Sequence, residues 1–219
     1  MLRNIIGIYP CYMGGHHFAN MISTDAQFTS RISDSSYDQI EINAHINDMN
    51  LGQLHPKMVD YVEKNIEMYA SQSNVFSSHL GGFIEFKYRG LLDRFPNKKY
   101  YLIEFPKNPE LDMLFRKRAW LHRDMAYYNY GYYYNEFKSH HRYEAIEAIV
   151  GEPVLRVPSD IIFCEDSLEY VSLLNHVLNL NLEYEKIQPI HQKWFAKVLD
   201  VVKNLPKPPM SSDIIVGKN

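Results

Sequence analysis

Two glycines and two histidines stand together near the start of the chain, in Tyr9-Pro-Cys-Tyr-Met-Gly-Gly-His-His17. These types suit an anion. Gly14 and Gly15 let a backbone approach a ligand closely, and a helix beginning beside them would aim its N–H groups and positive dipole end at the same point. The alternative is that the glycines only make a tight turn. His16 and His17, at the mouth of such a loop, carry ring donors for a phosphate. Their other reading is one exposed and one packed histidine at a helix N-terminus, where the dipole disfavours a charged imidazole. His79 closes the segment Asn74-Val-Phe-Ser-Ser-His79. Its neutral-range titration suits proton transfer; the alternative is a polar strand-end residue without a role. Cys11 lies in the loop beside a helix start that would lower its pKa, but no second member of a nucleophilic pair accompanies it.

Histidines also ligate metals. His16, His17 and His79 could converge, and His140-His141 with Glu144 fall on one predicted helix. Neighbours on a helix diverge by about 100°, so His140 and His141 do not both face one ion. No HExxH or CxxC spacing is present, and no metal site is expected.

The elements that must position these residues follow from periodicity. A β-branched run ending at Tyr9, then Phe18, Met21 and Ile22 at helical spacing, predicts a first strand–loop–helix unit over about 4–24. Met58, Val59, Val62, Ile66 and Tyr69 predict a helix begun by His55-Pro56. Asn74–His79 reads as a short strand, Phe83–Phe95 as an amphipathic helix, and Lys99–Phe105 as the clearest buried strand. Pro106-Lys-Asn-Pro109 stops that strand and opens a helix through Leu111, Leu114, Phe115 and Arg118. Residues 119–150 read as helical, interrupted by the tyrosine run Tyr127–Tyr134. Val154–Val157 is a further strand, followed by helices over Cys164–Leu180 and Gln188–Leu205. Tyr37–Asn43 is ambiguous between strand and other structure. Strands alternating with helices predict an α/β fold, a central mostly parallel sheet flanked by helices. A single domain over 1–205 would carry a proline-rich mobile tail at 206–219.

Composition narrows the function classes. With 219 residues and 46% hydrophobic content the chain can bury a core. A net charge of −3 argues against nonspecific nucleic-acid binding, which rests on a basic face. No apolar run approaches the roughly 20 residues that span a bilayer. Two cysteines make no disulfide framework, and a reducing, cytoplasmic setting is expected. The tyrosine run would line an acceptor pocket or form a patch for a protein partner or a second copy. Trp120 and Trp194 are expected to anchor the core.

In this order the pieces resemble the sulfotransferase family, over roughly residues 4–200. That family opens with a strand and a Tyr-Pro-Lys-Ser-Gly-Thr-Thr loop, matched here by Tyr9–His17 with one extra residue. Its Thr-His-Leu-Pro segment is matched by Ser78-His79-Leu80-Gly81, and its Lys-x-Ile-x-Val-x-Arg-Asn-Pro by Lys99–Pro109. A later strand, an acidic Glu-Asp-Leu element and a helix ending near Leu-Gly-Leu are matched by Val154–Val157, Cys164–Leu168 and Leu178–Leu182. The family's loop lysine falls at Cys11 or Tyr12, its loop hydroxyls at Gly15 and His16, and a 3′-phosphate serine near Phe115.

The resemblance implies a P-loop-like sulfotransferase architecture. It also implies a sulfuryl donor, 3′-phosphoadenosine-5′-phosphosulfate (PAPS), and a hydroxyl acceptor on a carbohydrate or small molecule. His79 would be the general base. Gly14, Gly15, His16 and His17 would hold the donor's phosphosulfate end, and Lys107 would supply charge at its 3′-phosphate. The basic residues that follow, Arg116 to Arg123, read chiefly as a solvated face. The alternative is a non-catalytic binding or structural protein on the same fold. A nucleoside-triphosphatase is disfavoured, because no Gly-Lys-Ser/Thr ends the loop.

Overall fold

The computed structural model describes residues 2–9, 14–28, 30–33, 54–112 and 140–203. Cys11, Tyr12, the ambiguous stretch 37–43, the 114–118 part of the helix expected after Pro109, Trp120, the basic residues at 116–123, the tyrosine run and the C-terminal tail lie outside them. For His16 and His79 only the backbone is described.

The first strand, β1 (Asn4–Tyr9), is buried at every position. Its Ile5, Ile6 and Ile8 have no polar alternation, as expected of a strand covered on both faces. It is the middle of a five-stranded sheet with β2 (Ser30–Ser33), β3 (Asn74–His79), β4 (Lys98–Glu104) and β5 (Val154–Pro158), in the order β2-β3-β1-β4-β5. All four pairings are parallel. β2 is the strand that periodicity does not reveal: it is a four-residue edge, Ser-Arg-Ile-Ser, with one apolar residue.

Helices cover both faces. The chain leaves β1 toward one side of the sheet through α1 (Gly15–Ile22). It leaves β3 toward the other side through α4 (Leu80–Tyr88). Right-handed crossovers then put α1 and α4 on opposite faces. Side chains agree. Tyr101 turns to α1, its ring 5.2 Å from Phe18, and Tyr100 turns to α4, 6.4 Å from Phe83. On the α4 side, α2 (Leu54–Lys64), α3 (Ile66–Ala70) and a 3-10 turn (Leu91–Arg94) close the layer, with Phe76, Phe86 and Phe95 in edge contact. After β4 come α5 (His140–Val150), α6 (Ser159–Ile162), α7 (Leu168–Val177) and α8 (Tyr184–Lys203). α7 and α8 cover the α1 face: Tyr170 lies 5.7 Å from Phe18, and Trp194 is buried.

Several boundaries differ from the periodic reading. α1 starts at Gly15, three residues before Phe18. The expected helix over 83–95 begins at Leu80 and breaks at Gly90, whose φ of 68° starts the 3-10 turn. The expected helix over Cys164–Leu180 begins only at Leu168, where the Asp166 carboxylate accepts the Leu168 N–H at 2.9 Å. α8 begins at Tyr184 and runs through Pro189.

Candidate functional site

The two edges of the sheet differ. At the amino edge, Arg3 donates to the carbonyls of Leu178 and Asn179, satisfying the carboxyl end of α7. Asp25 accepts the Asn181 and Gln27 N–H groups, and Asn74 donates to Asn4 at 2.7 Å. This edge is occupied by structural pairing.

At the carboxyl edge, α4 begins on the residue after His79, a helical turn forms at 109–112 after β4, α6 follows β5, and α1 is the next described element after β1. Four helix starts thus gather at one edge, where first-turn N–H groups have no intrahelical carbonyl; at 109–112 the Asn108 side chain takes one of them. The connection from β1 runs to β2 on one side of the sheet, while those from its neighbours β3 and β4 run the other way, so the direction of winding reverses at β1. In open α/β sheets such a switch point forms the crevice that holds ligands.

The residues singled out above map onto this edge. Tyr9 and His79 are register partners on β1 and β3, neighbouring strands about 4.8 Å apart. The backbone therefore brings the end of the loop strand and His79 together, although 70 residues separate them. Gly14 caps α1 with φ 70°, the left-handed region where glycine alone is unstrained. Gly15 is buried against Tyr9, where a Cβ would come 2.0 Å from the ring. The Phe18 N–H is bonded to the Gly14 carbonyl at 2.9 Å, the first intrahelical bond of α1.

His17 does not stand at the mouth of the loop. It is 3% exposed, stacked parallel on Trp194 at 4.0 Å, with its Nε2 3.1 Å from His191 Nδ1. It takes the packed role, because position 17 points from α1 toward α8. His16 is described only as the second residue of the same turn.

Lys107 follows β4 on the other side of β1. Its side chain is exposed, while its backbone N–H and that of Asn108 both donate to the Asp160 carboxylate, at 3.1 Å each. Two successive N–H groups form an anion cradle, and here a carboxylate from α6 fills it. Asn108 Oδ1 then accepts the Glu110 N–H at 2.9 Å and starts the helical turn. Upstream, the Phe105 N–H donates to the Tyr143 hydroxyl of α5. Burial pushes that phenol up to about 12, so it stays neutral. Arg156 lies over the Tyr143 ring at 5.4 Å and pairs with Glu147 at 2.9 Å.

No protein-family model matches the chain, and comparison with curated proteins finds no match. The edge must therefore be judged by its own geometry.

Among the described residues, no group of three or more His, Cys, Asp and Glu is gathered to hold a metal ion. No described helix is long and apolar enough to cross a membrane. Sequence reasoning missed His191, Asp160 and Tyr143. His191 had a usable signal: Ile187, His191, Trp194 and Val198 fall on one helical stripe, with a histidine where an apolar residue belongs. Asp160 had none, since its partners are backbone groups 52 and 53 residues away.

Proposed function

We propose that the carboxyl edge around β1 takes the phosphosulfate end of PAPS and that the chain moves the sulfuryl group to a hydroxyl of a carbohydrate or small molecule. The observation that carries this reading is the meeting at one edge of the Gly14–Gly15 helix start, the β3 end bearing His79 and the β4 loop bearing Lys107. Anionic donor oxygens would be held by first-turn N–H groups of α1, with His16 beside them. Lys107, with its side chain exposed, would meet the 3′-phosphate. His79 would take the acceptor's proton as the hydroxyl attacks sulfur in line with the leaving phosphate.

Calorimetric titration with 3′,5′-adenosine bisphosphate tests the donor site. Lys107→Ala is the probe, because its exposed side chain can be removed without disturbing the core. Micromolar binding weakened about tenfold in that variant supports the reading. His79→Ala should keep that affinity and lose about 10²–10⁴ in transfer rate. A His79→Ala protein with full rate would remove the base.

One observation favours a second reading, a non-catalytic binding or structural protein. Gly14, Gly15 and His17 each have a packing role, against Phe163, Tyr9 and Trp194. The absence of binding at millimolar bisphosphate would decide for it.

A further inference from the structure

Behind the first turn of α1 lies a buried polar chain. His191 is fully buried and its Nε2 sits 2.7 Å from the Cys164 carbonyl, which can only accept. Nε2 therefore carries the proton. In the neutral ring Nδ1 is then a lone pair. Two groups able to donate face that one lone pair, His17 Nε2 at 3.1 Å in the tautomer protonated there and the Tyr170 hydroxyl at 3.0 Å. His17 is the third residue of α1, one position after His16 and two after Gly15. The Trp194 ring that stacks on His17 also lies 3.2 Å from where a Cβ on Gly14 would stand.

We propose that His191 is a positioning residue for the first turn of α1, acting through His17. This rests on the reading of that turn as the anion site. A neutral His191 supplies the acceptor that holds the His17 ring against Trp194 and so fixes the turn's height over Tyr9. A proton on Nδ1 would turn that acceptor into a donor, so the Tyr170 hydroxyl would have to accept and His17 would have to move its own proton from Nε2 to Nδ1 or shift, and the hold on the turn would change. The groups around this ring, among the described residues, are His17 from α1, Tyr170 from α7, and Cys164 and Asp166 from the α6–α7 connection. Burial, the largest influence, lowers the proton affinity of His191; the Cys164 carbonyl and Asp166 oppose it.

The test is a pH titration of the full-length ¹⁵N-labelled protein without ligand, following the imidazole nitrogens of His191 and the backbone amide of Gly15. The Gly15 shift should step with the same midpoint as His191, below the ordinary 6.5. In His191→Asn, whose amide oxygen accepts from His17 but does not titrate, the step should vanish. In Tyr170→Phe, which removes the hydroxyl at Nδ1, both midpoints should move together. A Gly15 amide that stays still while His191 titrates, or a step that survives in His191→Asn, would overturn the proposal. As a second readout, affinity for 3′,5′-adenosine bisphosphate should fall between about pH 7.5 and 5.5 by about tenfold more in the wild type than in His191→Asn. Ligand ionisation is common to both proteins and cancels. A wild type that binds no bisphosphate at any pH counts against the donor site alone, since the amide step is read without ligand.

Discussion

A methyl group added at Gly15 would lie 2.0 Å from Cγ of Tyr9, a fully buried ring whose hydroxyl meets Ser77 at 3.3 Å. Tyr9 cannot swing away, because the sheet and α1 enclose it. Gly15→Ala should therefore cost at least about 1–3 kcal/mol of stability by overpacking, read as a shifted urea midpoint. A loss below about half a kcal/mol would mean that α1 is not seated as described. The same geometry makes Gly15 a poor probe of binding, since its substitution damages the core and any anion site together. His191 gives a second residue-scale expectation. Its folded-state proton affinity is lowered, so above pH 6.5 both folded and unfolded chains hold it neutral and no penalty arises. Below 6.5 the unfolded chain takes up a proton that the folded one refuses, and stability falls until the native ring itself titrates. The slope in that window reaches at most about 1.4 kcal/mol per pH unit for one group. Urea unfolding across this range should show that slope in the wild type and not in His191→Asn; equal slopes would dismiss His191 as its source.

Between β4 and its helical turn, the connection is held by Asp160 through the N–H groups of Lys107 and Asn108. Removing the carboxylate in Asp160→Ala should unlatch this connection alone. Amide exchange at 107 and 108 should accelerate by about tenfold or more while β1 amides stay protected. Unchanged exchange there would show that the connection is held by something else. The latch also shows what a sequence can and cannot display. The core of β4 follows from a run of apolar residues, Asn74–His79 from its Val-Phe pair after the α3 helix, and the parallel sheet from strands alternating with helices. Those signals are local. β2 escaped because an edge strand of four residues needs little apolar content, and the late start of α7 escaped because Asp166 and Ser167 form a turn before the helix. The site divides the same way. The glycine pair was visible as a turn, yet its reason, the Tyr9 ring beneath Gly15 and Trp194 beside Gly14, is tertiary. His17 could be read as exposed or packed, and only its facing residue on α8, 174 positions away, decides between them.

Over the whole molecule, the amino edge is filled by Arg3, Asp25 and the Asn4–Asn74 pair, while the carboxyl edge collects helix starts. An anionic ligand gains at the second edge and nothing at the first, so its footprint should be one-sided. Hydrogen exchange with and without saturating 3′,5′-adenosine bisphosphate should slow at 14–17, 80–82 and 107–112, and stay unchanged near Arg3, Asn97 and Asn179. Binding to the folded state alone also raises stability by mass action, by about 2.7 kcal/mol at a hundred times Kd. The gain should shrink with added salt, because the attraction is that of charge for exposed dipoles and Lys107. Protection at the amino edge, or stabilisation that ignores salt, would refute a dipole-built site at the carboxyl edge. Protection confined to 14–17 without 80–82 would keep the anion site and detach His79 from it, because Tyr9 and His79 lie on adjacent strands and one ligand bridging them must shield both helix starts.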